Sequence, residues 1–196
     1  MKPCTYISLA ATAIVLAGCV VTSVSPFYTQ TDLVYESGLV GNWIQAKGGA
    51  EVWRFEQSDA KAYRFTRIES RKATVMQAHA FKLEGQLFLD IYSLQEDIQA
   101  IPAHYLLKVA QVTPTLQLSQ LDNDWLLALL DKDPKATRHH VVVGEKPEDR
   151  RVVLTGDTAE LQKFVTKHLR TAEAWKDCFE FKRETQGTAI GRIAGD

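Results

Sequence analysis

Histidine and cysteine are the side chains best suited to metal binding or nucleophilic chemistry, and this 196-residue chain has five and three of them. His139 and His140 are adjacent in "HHVVVG", a segment of strand composition. Neighbouring residues of a strand point to opposite faces, so these two rings would not converge on one metal ion. We interpret both as surface histidines. A paired-cysteine zinc motif, a His-Glu-x-x-His helix, a nucleophile elbow and a P-loop are all absent from the sequence.

Asp122 and Asp124 have the spacing of early ligands in a calcium-binding loop. Such a loop needs a glycine at its sixth position and a glutamate at its twelfth, and this sequence has neither. Aspartate just ahead of an apolar helical pattern caps the helix, which explains these residues better. We therefore predict no catalytic residue, no metal and no cofactor.

The start of the chain has the order of a secretory signal. Lys2 is positive, an apolar run extends from Tyr6 to Leu16, and two small residues lead into Cys19. The run is about eleven residues long, well short of the roughly 20 that a helix needs to cross a bilayer. We therefore predict a cleaved signal peptide over residues 1–18 and no transmembrane helix there.

The sequence Leu16-Ala17-Gly18-Cys19 resembles the lipobox of bacterial lipoproteins. The resemblance implies cleavage between Gly18 and Cys19, a diacylglyceryl group on the Cys19 thiol and an acylated amino terminus. Several acyl chains would hold the protein stably on a membrane, because each buried methylene contributes about 0.8 kcal/mol. Val20 stands where an aspartate would favour the inner membrane, so the resemblance implies the outer membrane, facing the periplasm. The alternative is an ordinary secretory signal with a cysteine at its cleavage site.

The net charge and the number of cysteines limit which binding partners and which disulfide bonds we expect. The net charge is −1 and the basic residues are spread along the chain, which argues against a nucleic-acid partner. Cys4 leaves with the signal peptide and Cys19 is acylated, so Cys178 has no intramolecular partner. We expect Cys178 to be buried as a small hydrophobic residue or to form an intermolecular bridge.

Composition divides the remaining chain into three parts. Residues 19–31 contain Ser, Thr and Pro without periodicity and are predicted to be a tether. Residues 32–184 are predicted to form a single β-rich globular domain. Residues 185–196 are Gly-rich and are predicted to be a flexible tail.

Alternating apolar residues predict most of the strands. Trp53 and Phe55 share one face of their segment, and Tyr63 and Phe65 share one face of the next. This period of two over successive runs is typical of antiparallel strands. Further strand candidates follow as far as "CFEFKRE" near the C-terminus.

The hairpin around Glu84-Gly85 allows two registers. Pairing Leu83 with Leu87 gathers the apolar residues on one face and is the register we favour. Pairing Leu83 with Gln86 instead places His79 opposite Asp90, where the two side chains would form a hydrogen-bonded pair.

Helical spacing appears only late in the chain. "DNDWLLALLDKDP" begins with capping residues and ends at Pro134, and "DTAELQKFVTKHL" has Asp157 and Glu160 at capping-box spacing. The predicted fold is α+β and predominantly antiparallel β, either a lipocalin-like barrel or a strongly twisted sheet, with two helices in the C-terminal half.

Gly41-Asn42-Trp43, early in a strand-rich chain, resembles the lipocalins. In that family the tryptophan closes one end of an eight-stranded barrel and an arginine of the last strand packs across it, which implies this role for Trp43 and Arg183. This sequence departs from the family because two helices precede its last strand. "LVGxW", a "WxF" strand and an "FKLxGxLFLD" hairpin also resemble uncharacterised bacterial lipoproteins, and this resemblance implies no activity.

Three functions are compatible with these patterns. The first is a non-enzymatic envelope lipoprotein, anchored to the membrane through Cys19, that presents its domain to a protein partner or to the envelope. The second is lipocalin-like binding or transport of a small apolar ligand. The third is a periplasmic hydrolase. Four aromatic residues are predicted either to fill the domain core or to line a ligand site: Trp43, Trp53, Tyr63 and Phe65.

Overall fold

The computed structural model of the protein describes residues 20–46, 51–93, 103–146 and 149–184, without the side chains of residues 177 and 178. The predicted signal peptide and its cleavage site, the lipidation site Cys19, the predicted tail and the side chain of Cys178 lie outside the described residues.

Twelve strands, two α-helices and two short 3-10 turns make up the described chain. The strands are β1 (Thr22–Ser23), β2 (Leu33–Val34), β3 (Gly41–Gln45), β4 (Val52–Asp59), β5 (Ala62–Glu69), β6 (Lys72–Leu83), β7 (Gln86–Ser93), β8 (His104–Gln111), β9 (Thr115–Leu121), β10 (His139–Val143), β11 (Arg150–Leu154) and β12 (Trp175–Arg183). The helices are α1 (Asn123–Lys132) and α2 (Thr158–His168), and the 3-10 turns are Ser37–Leu39 and Ala172–Ala174.

Eight of these strands close into a barrel. Strands β3 to β9 follow in chain order, each antiparallel to the next. Strand β12 pairs antiparallel with both β9 and β3 and completes the ring. The helices, β10 and β11 come before β12 in the chain, but they pack outside the barrel and leave its last position to β12. The predicted α+β fold is confirmed, with the lipocalin-like barrel as the observed alternative.

Both predicted helices form, and an aspartate caps the N-terminus of each. Asp122 accepts a hydrogen bond from the Trp125 backbone N–H at 2.6 Å, and Asp157 accepts one from the Glu160 N–H at 3.0 Å. These bonds satisfy amide groups that have no partner inside the helix. The apolar side chains that the two helices bury are Leu126, Leu130, Leu161, Phe164 and Val165.

The barrel wall separates two apolar cores. The inner core fills much of the barrel and includes Trp43, Phe55, Tyr63, Leu89 and Leu118. The outer core lies between the wall, the two helices and the N-terminal segment, and includes Phe27, Phe81, Phe88, Leu106 and Phe164. Strands β6, β7 and β8 therefore bury side chains on both faces.

The register that we favoured for the β6–β7 hairpin is wrong. Leu83 pairs with Gln86, and His79 lies opposite Asp90. Glu84 and Gly85 have φ values of 49° and 78°, so two residues with positive φ make the turn, as in a type I′ hairpin. Hydrophobicity did not determine the register because both faces of this hairpin are buried.

The tether predicted over residues 19–31 is also corrected, for its described part from residue 20 onward. Val20 bridges to Asp122, and β1 pairs with β8 and β11. Ser23 is fully buried and Phe27 is 1% exposed. This stretch is part of the domain because its few apolar residues enter the outer core, although its polar composition is typical of a linker.

Candidate functional site

A cavity of about 410 Å³ lies inside the barrel at the end where β5 turns into β6. We call this the open end. The wall is mostly apolar and aromatic, and the residues that line it come from the N-terminal segment and seven barrel strands: Val20, Trp53, Phe65, Arg67, Thr74, Met76, Ile91, Ser93, Tyr105, Leu106, Leu107, Gln120 and Phe179. Cavities of this size and composition are typical of small-molecule sites.

Aromatic packing fixes the shape of the cavity on the side of β4 and β5. The Trp53 ring contacts Phe65 edge to face with centroids 5.1 Å apart, and it lies 4.5 Å from the Phe181 ring. Trp53 is 3% exposed and Phe65 is 2% exposed. Since rings held on several sides have little rotamer freedom, this wall is formed before any ligand enters.

Among the described residues that line the cavity, Arg67 is the one cationic side chain, and it is already paired. Its guanidinium bonds Glu51 and lies 2.8 Å from a Glu69 carboxylate oxygen. Glu51 also accepts a hydrogen bond from the Trp53 indole N–H at 2.7 Å. The positive charge is therefore compensated by protein carboxylates, which favours an uncharged ligand body over an anion.

The opposite end of the barrel, the closed end, is filled by side chains. Trp43 is fully buried and donates from its indole N–H to the Leu39 carbonyl at 2.8 Å. The Arg183 guanidinium lies 4.5 Å from the centre of the Trp43 ring and donates to the Val40 carbonyl. The arrangement that the lipocalin resemblance implied for Trp43 and Arg183 is therefore confirmed.

Gly41 is required by this closure. Its φ is +133°, and a Cβ atom there would lie 2.7 Å from an Arg183 guanidinium nitrogen. Any other residue would be strained and would also displace the arginine. The spacing of glycine and tryptophan in the sequence thus has a physical cause.

Tyr63 also belongs to the filled half of the barrel. Its hydroxyl accepts a hydrogen bond from the Glu36 N–H at 2.6 Å, and burial raises the pKa of Tyr63 to about 12. Of the four aromatic residues predicted to line a ligand site or fill the core, Trp53 and Phe65 line the cavity, whereas Trp43 and Tyr63 fill the closed half.

Sequence reasoning missed the cavity residues that come from β6, β7 and β8. Met76, Ile91 and Leu107 lie on inward positions of these strands. The two-residue alternation in each segment was the available signal, but it did not distinguish the inner face from the outer face because both carry apolar residues.

A second group of candidate residues, which are ionisable, lies on the outer face of strands β6, β7 and β8. The Asp90 carboxylate is fully buried, faces the His104 Nδ1 at 2.7 Å and accepts a hydrogen bond from the Phe27 backbone N–H at 2.9 Å. His104 is itself 7% exposed. This pair therefore joins β7, β8 and the N-terminal segment.

Tyr28, Tyr92 and His79 extend this group. The Tyr28 hydroxyl lies 3.0 Å from the Nδ1 of His79, and His79 stacks on Tyr92 with centroids 6.0 Å apart. Burial lowers the pKa of His79, although the Asp90 carboxylate opposes the shift. Burial also raises the pKa of Tyr28 and of Tyr92, and Asp90 adds to both shifts. The group is therefore arranged around neutral His79 and neutral phenols.

A carboxylate and the histidine that it orients supply two of the three residues of a hydrolytic triad. Among the described residues, however, no hydroxyl or thiol is hydrogen-bonded to His104. The same part of the chain holds no cluster of three metal-ligating side chains. What the Asp90 carboxylate does bind is the Phe27 amide, so this polar group fastens the N-terminal segment to the barrel.

The other candidate residues do not join either site. His139 and His140 lie on β10 outside the barrel, with the His139 Nδ1 2.9 Å from the Thr137 carbonyl. Asp122 caps helix α1 as predicted, and Asp124 lies in the first turn of that helix.

No known protein family, curated protein or solved structure matches this chain. The fold is therefore defined by its own geometry, as a closed eight-stranded antiparallel barrel with an outer α/β layer. Within the described ranges, no helix is long and apolar enough to span a bilayer.

Proposed function

We propose that the protein is a lipid-anchored envelope protein whose barrel binds a small, largely apolar ligand. The observation that carries this proposal is the cavity of about 410 Å³ at the open end, with its aromatic wall. The lipobox-like sequence at Leu16 to Cys19 supports the anchor and a position at the outer membrane. Ligand binding takes precedence over simple presentation of a surface, because a core needed only for stability would be filled with side chains.

The ligand class follows from the wall. Trp53, Phe65 and Ile91 offer apolar contact, while Thr74 and Gln120 provide a few polar groups near the open end. Arg67 is already paired with carboxylates, so the ligand needs no negative charge. A neutral molecule with a rigid or chain-like apolar body satisfies these conditions.

Filling the cavity tests this function. Met76→Trp places a larger side chain into the cavity, whereas Ala73→Trp places the same side chain on an exposed position of the same strand. With N-phenyl-1-naphthylamine as a neutral fluorescent probe, we expect the wild type to bind one equivalent and Met76→Trp to bind at least about tenfold more weakly, which corresponds to about 1.4 kcal/mol. Ala73→Trp should bind as the wild type does.

Native mass spectrometry of the purified full-length protein provides the second measurement. A reproducible co-purified apolar molecule, lost in Met76→Trp, would support the proposal. Absence of any such molecule together with equal probe binding by both tryptophan variants would show that the cavity is not a binding site.

A further inference from the structure

The first described residues are already paired with strands of the domain. Val20 is already bridged to Asp122 at the end of β9. Thr22 and Ser23 pair with Tyr105 and His104 of β8. The sheet therefore holds the chain from the residue that directly follows Cys19.

The N-terminal segment occupies a seam beside the cavity. Strand β9 pairs with β8 only from Leu107 onward, and β1 pairs with the two residues at the start of β8. Val20 enters this seam and lines the cavity itself. The peptide bond that joins Val20 to the preceding residue therefore starts from the cavity wall, and consecutive Cα atoms are only about 3.8 Å apart.

Buried contacts prevent this segment from acting as a hinge. Val21 is 5% exposed and Ser23 is fully buried. The Asp90 carboxylate holds the Phe27 amide a few residues further on. A group attached to Cys19 is thus attached to a fixed edge of the barrel, whereas a free tether of about twelve residues would reach about 40 Å.

From this placement we propose that the open end of the barrel is held directly against the membrane surface, so that the cavity exchanges its apolar ligand with the lipid layer. The inference rests on the lipid anchor of the proposed function. Acyl chains on Cys19 insert into the bilayer, and the rigid join at Val20 brings the cavity wall to the same surface. The exposed residues Arg71 and Lys72 lie at the open end, where they meet lipid phosphate groups.

Two exposed lysines at opposite ends of the barrel allow the orientation to be measured. Lys72 lies at the open end and Lys61 in the β4–β5 turn at the closed end. Each is replaced by cysteine in full-length protein carrying Cys178→Ser, labelled with a fluorophore and reconstituted in phosphatidylethanolamine and phosphatidylglycerol vesicles containing nitroxide lipid. We expect at least threefold stronger quenching at position 72 than at position 61.

A linker variant is the matched control. Ten Gly and Ser residues inserted between Cys19 and Val20 keep the anchor and free the domain, so the difference in quenching should disappear. The rate at which N-phenyl-1-naphthylamine passes from vesicles to the barrel should fall at least threefold in the same variant. Equal quenching at the two positions of the parent protein, or a difference unchanged by the linker, would overturn the proposed orientation.

Failure of the anchor itself is recognised separately. Parent protein and Cys19→Ala are compared for labelled fatty-acid incorporation and for flotation with vesicles. If the parent neither incorporates fatty acid nor floats, the anchor and this inference both fail, while probe binding by the soluble protein still decides the ligand-binding function. If the parent floats but shows no difference in quenching, only the orientation is wrong.

Discussion

The two faces of strands β6, β7 and β8 are both buried but differ in chemistry. Their inward positions carry apolar residues such as Leu89 and Leu107, and the inward residues nearest the open end, Leu107 among them, line the cavity. Their outward positions carry His79, Asp90 and His104 among aromatic and aliphatic neighbours. One set of strands therefore provides a ligand site on one side and an attachment for the N-terminal segment on the other.

The difference follows from what each face must contact. The inner face meets mainly other barrel strands, whose backbone groups are paired around the ring, so apolar side chains suffice there. The outer face meets an irregular segment whose Phe27 amide needs an acceptor, which Asp90 provides. A buried polar group is tolerated where its hydrogen bonds are made, and it then selects one arrangement of the chain.

The largest expected loss of stability comes from a substitution in the filled half of the inner core. Trp43→Ala removes a fully buried indole and leaves Arg183 without its stacking partner, so we expect the free energy of unfolding to fall by about 3–5 kcal/mol. Trp125 of helix α1 is only half-buried, and Trp125→Ala should cost less than half as much. Urea unfolding of both variants measures the contrast. Equal losses in the two variants would mean that Trp43 at the closed end contributes no more to stability than Trp125 does.

On the outer face, Asp90→Ala should lower the free energy of unfolding by about 2–3 kcal/mol, because the Phe27 amide and His104 lose a buried partner. Asp90→Asn keeps an acceptor for the amide and should lose less. Hydrogen exchange of the Phe27 amide reports the local effect and should accelerate in Asp90→Ala more than exchange of the Leu89 amide. Uniform acceleration at both amides would contradict a specific attachment of the segment.

The same comparison explains what could be predicted from the sequence. Strands β4 and β5 and both helices were predictable because alternation and capping aspartates are local patterns with one physical meaning, whereas the closed end was expected only from the lipocalin resemblance of Gly41-Asn42-Trp43. The β6–β7 register and the attachment of residues 20–31 were not, because both depend on a second buried face that no local pattern reveals. The pairing of His79 with Asp90 was one of the two alternatives, and the turn geometry at Glu84-Gly85 decided it.

The smallest expected effect is that of pH: acidification should lower stability by weakening the packing on the outer face. Burial holds the pKa of His79 below its ordinary value of 6.5, so below that pH the unfolded chain binds a proton that the folded protein excludes. Stability is then retained above pH 6.5 and falls as the pH drops towards the lowered pKa. His79→Gln keeps a side-chain acceptor for the Tyr28 hydroxyl and should reduce the loss measured by urea unfolding at pH 5 relative to pH 7. The pKa of His168 in helix α2 is also lowered by burial, so His168→Gln should reduce part of the same loss. If His79→Gln leaves the pH dependence unchanged, protonation of His79 does not loosen the attachment of the segment.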